Sequence, residues 1–212
     1  MKKKPAKSTS AFWYWSNWKG IASSRGGDGV RERVRTIYEP TSRPQDAVEQ
    51  HFDLGSGPVD PATVPVFQGN LEIGSTPDDC PWPLREMFIV SDRLRHLLEA
   101  VAPSNCQFFP MRVTHNGEPC DLVYWRLYVE AVDCADSKLS GYNHEGLIAD
   151  PFVVEGRVPL QTSLFRAWDP IGRRGLSGIL VRDSLRRTLV REKISGCMFY
   201  RPRLPAPIEQ SS

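Results

Sequence analysis

"VSDRLRHLLE" at residues 90–99 returns, in altered form, as "VRDSLRRTLV" at 181–190. Val, Asp, Leu, Arg and a second Leu recur at the same places, with a constant offset of 91 (181 − 90). The echo continues downstream, because "CQFF" at 106–109 is answered by "CMFY" at 197–200, again 91 residues on. Leu94, Leu97, Leu98 and Val101 fall at i, i+3, i+4 and i+7, the apolar stripe of an amphipathic helix. Ser91 or Asp92 can cap its first turn, and Pro103 ends it. The second copy predicts a helix over about 179–193, with Leu185 and Leu189 facing the core and Gly196 leading into a last strand, "CMFYR". In both copies a first-turn carboxylate, Asp92 or Asp183, favours the helix dipole, and Cys-x-Phe-aromatic follows as a strand beside it. The echo therefore reads as scaffold rather than as a pair of active sites. Duplication and chance reuse of a short helix–strand vocabulary both stay open.

Outward from these helices, "CQFFPMRVTH" (106–115) and "CDLVYWRLYVEAVDC" (120–134) flank Asn116-Gly117, a tight-turn signal, and predict a β-hairpin. "FVVEG" and "SLFRAW" predict two further short strands. Upstream, "FWYWSNW" at 12–18 is rich in β-formers and reads as a strand, while "VRERVRTIY" at 30–38 fits a strand or a short helix. "SSRGGDG" at 23–29 reads as a loop, and recurrent Pro and Gly between 40 and 83 disfavour long elements, with 64–73 the best strand there. Strands that do not alternate with helices imply an α+β fold: a mostly antiparallel sheet, two main amphipathic helices and an irregular Pro/Gly-rich N-terminal region. The expected organisation is a disordered basic lead (1–10), a variable N-terminal module (11–85), an α+β domain (86–204) and a tail (205–212).

The chain has 212 residues, 40% hydrophobic and 25% charged, a balance typical of globular proteins. No apolar run reaches the roughly 18 residues that a membrane-spanning helix needs. The basic start lacks a small-residue cleavage site, which predicts a chain that stays in the cytoplasm. Five scattered cysteines without a CxxC pair predict reduced thiols and neither a metal nor any other cofactor. Charge is segregated: residues 39–80 hold eight acids against Arg43, whereas 166–203 hold ten bases against three acids. Such an arrangement can steer a charged macromolecular partner, or the two segments can face each other or solvent.

Catalytic signatures are sparse. "GLSG" at 175–178 is not a nucleophile elbow, and the glycines of "SSRGGDGV" lack the strand–turn–helix context of a dinucleotide site. His144-Glu145 in "GYNHEGL" could form an acid/base pair for a small hydrolase, or simply a polar turn; no nucleophile lies beside it. Asp133, Asp136 and Asp150 match no Ca²⁺ loop. Arg182, Arg186, Arg187, Arg191 and Lys193 could contact phosphates, giving a nucleic-acid-binding alternative for the 166–203 segment, but no recognition motif accompanies them. Trp13 and Trp15, with Phe12 and Tyr14 on the opposite strand face, suit either a core clamp or an interface.

Five ordered blocks, "FIVSDRLRHLLE", "CQFFPMRV", "VYWRLYVEAVDCADSKLS", "LFRAWD" and "ILVRDSLRRTLVREKISGCMFYRP", resemble the immunity protein family numbered eleven of bacterial polymorphic toxin systems. The resemblance implies a non-enzymatic protein that binds and neutralises a cognate toxin encoded by an adjacent gene, with no nucleic acid and no membrane as partner. It brings no catalytic residue. The residues expected to meet that partner are Trp13, Trp15, Asp53, Asp78, Asp79, Tyr142, His144 and Glu145, the acids suiting a basic toxin.

Overall fold

In a computed structural model the described residues are 11–16, 35–37, 52, 55, 57–64, 66–72, 78–83, 88–102, 105–115, 117–119 and 121–201. The expected basic lead, the 23–29 loop and the tail lie outside them.

Strand alternation explains the first half of the architecture. A seven-stranded sheet contains β2 (Arg35–Ile37), β3 (Phe67–Glu72), β4 (Trp82–Pro83), β5 (Phe88–Ser91), β6 (Cys106–His115), β7 (Glu118–Pro119) and β8 (Tyr124–Val129). Its main order is β4-β2-β3-β6-β8-β5, with β7 also paired to β6. Along β8 the side chains at 124 and 128 enter one core with Phe52, Phe67 and Phe109, while those at 127 and 129 enter another. The predicted hairpin is β6 and β8, with Gly117 at φ +85° in its turn, a conformation that glycine adopts without steric cost. The 30–38 ambiguity resolves to a strand at Arg35–Ile37.

The second sheet runs β14-β1-β13-β12-β9, from β1 (Phe12–Ser16), β9 (Ala131–Val132), β12 (Leu164–Asp169), β13 (Arg174–Arg182) and β14 (Met198–Tyr200). A small ribbon joins β10 (Gly141–Tyr142) to β11 (Ile148–Asp150). "SLFRAW" becomes β12, whereas "FVVEG" supplies only an isolated bridge from Val153 to Ala135 and a short 3₁₀ turn at Glu155–Arg157. Most pairings are antiparallel; β3–β6, β2–β4 and β9–β12 are parallel. With the two helices of the described residues, α1 (Asp92–Val101) and α2 (Asp183–Arg191), the fold is α+β.

The second helix is shorter than its apolar periodicity suggests. Residues 179–182 belong to β13, where Ile179 and Val181 point into one core and Leu180 into another. An apolar run of this kind satisfies a helical stripe and a doubly buried strand equally well. Arg182, at the N-cap, makes no side-chain capping bond, so only the first-turn Asp183 marks the start of α2.

The 91-residue echo is three-dimensional. β8 lies between β5 and β6, with Val90 opposite Trp125 and both Phe88 and Phe108 opposite Leu127. β1 lies between β13 and β14, with Val181 opposite Trp13 and both Ile179 and Phe199 opposite Trp15. Adding 91 to the β5 and β6 numbers, and subtracting 112 from those of β8, converts one register into the other. Even the bond that enters each helix corresponds: Asp92 N–H donates to Val123 O at 3.1 Å, and Asp183 N–H to Ala11 O at 3.0 Å. The middle strand, however, follows the helix–strand unit in the first copy and precedes it in the second. Leu94, Leu98, Leu185 and Leu189 then meet in one core with Trp15, Leu127, Val90 and Val181.

Candidate partner-binding surface

Each helix carries the same three-residue cluster at its N-terminal turn. Asp92 Oδ1 accepts from Trp125 Nε1 at 2.9 Å and from Arg95 Nε at 3.1 Å, and the Arg95 guanidinium lies 4.2 Å over the Trp125 ring. Asp183 Oδ1 accepts from Trp13 Nε1 at 2.8 Å and from Arg186 Nε at 3.0 Å, and Arg186 lies 4.3 Å over the Trp13 ring. Arg201 covers Trp13 as well, at 3.8 Å. Partial desolvation pushes both carboxyls up, but the bonds and charges around them outweigh it and hold each below its ordinary 3.8. For Asp92 these come from Trp125, His96 and Arg95; for Asp183, from Arg186, Trp13 and Arg187.

The sequence-selected residues separate into three groups. Trp15 is 1% exposed and sits in the core, its Nε1 without a hydrogen-bond partner among the described residues, while Trp13 is half-buried in the cluster just described. Phe12 and Tyr14 pack on the other sheet face with Phe165 and Leu180, so both faces of β1 are used internally. Asp79 joins the ends of the two helices. Its Oδ1 accepts from Ser91 Oγ, the α1 cap, at 2.8 Å, and its Oδ2 accepts from Ser195 N–H and Arg93 at 3.1 Å each. The Asp79 N–H donates to Ser195 Oγ at 2.9 Å, and Arg93 also reaches the Glu192 carbonyl. Asp78 neighbours this joint, its carbonyl accepting from Tyr124 Oη. Gly196 (φ +76°) closes the joint: a Cβ there would lie 2.2 Å from the Cys80 carbonyl oxygen. Beneath it, a hydrogen bond with Cys197, followed by burial, pushes the Cys80 thiol well up. Asp53 lies outside the described residues.

Tyr142, His144 and Glu145 occupy the exposed β10–β11 turn. Asn143 Oδ1 accepts from the Glu145 and Leu147 amides at 3.0 Å each, and Gly146 adopts φ +74°. Tyr142 donates to the Ser137 carbonyl. The nearby acids serve local structure, Asp136 accepting from the Lys138 amide and Asp150 from Tyr14 Oη. Among the described residues, no three His, Cys, Asp or Glu side chains gather where they could hold a metal ion.

Sequence reading weighed the arginine-rich face of α2 only as a phosphate contact, and left it out of the residues expected to meet the toxin. Arg187 and Arg191 are 70% and 73% exposed in their side chains, and Val190 between them is 56% exposed. Arg187 pairs with Asp183 at 3.2 Å and Arg191 with Glu192 at 3.0 Å, pairs worth little at such exposure. Leu185 and Leu189 face the core as the apolar stripe predicts; what the sequence did not single out is Val190, exposed between two outward arginines.

Residues 21–202 match the immunity protein family Imm11. The chain belongs to this family. The match begins well before the five blocks that carry the resemblance in sequence and runs from β2 to β14; β1, with Trp13, lies ahead of it. Membership associates the protein with toxin immunity in general and with a toxin as its partner. No curated protein matches the chain. Among the described residues no helix is long and apolar enough to cross a membrane.

Proposed function

We propose that this protein is the stoichiometric inhibitor of one polymorphic toxin, encoded by the adjacent gene and met in the cytoplasm. Family membership carries the reading. Two features of the molecule support binding over chemistry: His144 and Glu145 stand on an exposed surface turn, and the outward face of α2 presents two well-exposed arginines. Affinity of this kind rests on a few desolvated anchors, with complementary charge speeding capture. The partner surface is drawn from Trp13, Tyr142, His144, Glu145, Asp78 and Asp79, together with the α2 face.

Co-expression with the neighbouring toxin gene should protect cells, and the purified pair should elute as a 1:1 complex. A neighbouring product that is harmless, or toxic but not bound, would refute the reading. A folded His144→Ala variant that still binds the toxin but no longer protects cells would favour the hydrolase alternative.

A further inference from the structure

We infer that the outward face of α2 docks an acidic protein surface of the toxin; this deepens the immunity reading and rests on it. The two copies make the argument. Over 92–100, Arg93 and Arg95 are balanced by Asp92 and Glu99. Glu99 lies 3.1 Å from Arg95 and 3.5 Å from His96, so the outer stripe of α1 is internally neutralised. Over 183–191, three arginines face Asp183 alone, a net +2. At equivalent positions His96 becomes Arg187, Glu99 becomes Val190, and Ala100 becomes Arg191. Arg187, Val190 and Arg191 fall at i, i+3 and i+4, one stripe of the helix, and Arg201 extends the positive charge beside Trp13.

The same scaffold thus removes one acid, trades Arg93 for Ser184, adds two arginines on the outer stripe, and exposes an apolar side chain between them. An apolar centre ringed by arginines fits a protein interface, where guanidinium groups grip carboxylates in pairs. Single-stranded nucleic acid would want an open aromatic platform, yet the Trp13 ring is already covered by Arg186 and Arg201.

The test compares Arg187→Glu/Arg191→Glu with the control His96→Glu on α1. Each full-length protein is titrated calorimetrically with the purified toxin domain from the neighbouring gene at two salt concentrations. The α2 variant should bind roughly 100-fold more weakly with a flatter salt dependence, and the control within about threefold of wild type. An unchanged thermal midpoint in the α2 variant places that loss at the interface. Equal affinity of the α2 variant and wild type overturns this inference alone and leaves the immunity reading standing. If wild type does not bind the toxin domain, both fall. A 30-nucleotide single strand bound by wild type and not by the α2 variant would assign the face to phosphate and overturn the inference as well.

Discussion

Around α1, Asp92 gathers Trp125, Arg95 and His96, and Glu99 completes a closed set of charges. Around α2, Asp183 gathers Trp13, Arg186 and Arg187 in the same geometry, but Val190 stands where Glu99 would be. The inward halves agree because both helices pack leucines into one core, where a change on either side would leave a cavity or a clash. The outward halves are free to differ, and they do. Their caps differ too: Ser91 accepts from the Leu94 amide and is held by Asp79, whereas Arg182 reaches the Thr162 carbonyl at 2.8 Å. A repeated scaffold therefore separates what the fold demands from what it leaves available for recognition.

The comparison can be broken most forcefully in the core. Leu98→Ala and Leu189→Ala, at equivalent and fully buried positions, should each cost about 2–5 kcal/mol. Because the leucines share one core, each variant should still unfold in a single urea transition; two transitions would mean that the copies are independent units. Next in size is Asp79→Ala, which strips partners from the Ser91 hydroxyl, the Ser195 amide and Arg93 at once. About 2–3 kcal/mol is expected, with faster amide exchange at Cys80 and Ser195.

Smaller effects sharpen the correspondence. Trp13→Phe and Trp125→Phe each remove one indole hydrogen bond and should lower stability by about 1 kcal/mol apiece. A loss from only one of them would show that matching geometry does not carry matching energy. The least expected effect is acid sensitivity. Asp92 and Asp183 lie below 3.8 when folded, so their contribution is present above 3.8 and disappears as pH falls through their folded values. Replacing both by Asn should flatten the stability profile below pH 4 and leave its shape near neutrality unchanged, as followed by urea midpoints.

The leucine stripe, the Cys-x-Phe strands and the constant offset made both helices and β6 and β14 legible from sequence. The partner strands were also read as strands, but not their correspondence: Trp125 and Trp13 are related by a shift of 112 in the opposite direction, so no comparison of tandem segments pairs them. Ile179–Val181 misled because a run buried on both faces has no period of its own. Asp79 was singled out as a surface acid, while its partners lie 12, 14 and 116 residues away, too far for any local pattern to announce. Family resemblance reached the functional class. The division of labour between two equivalent helices became visible only once both had been placed on one core.

The position of β1 has a consequence for how the chain is made. Trp13 finds its carboxylate 170 residues later, and both neighbours of β1 come from the final part of the folded region. At bacterial-scale elongation of 5–20 residues per second, that strand waits roughly 10–30 s after synthesis for its place in the sheet. During that interval "FWYWS" is an unshielded aromatic segment, and the second sheet has no centre. Closure of the second sheet thus waits for the strands made last among its members: synthesis that stops before β13 leaves the first strand without either neighbour.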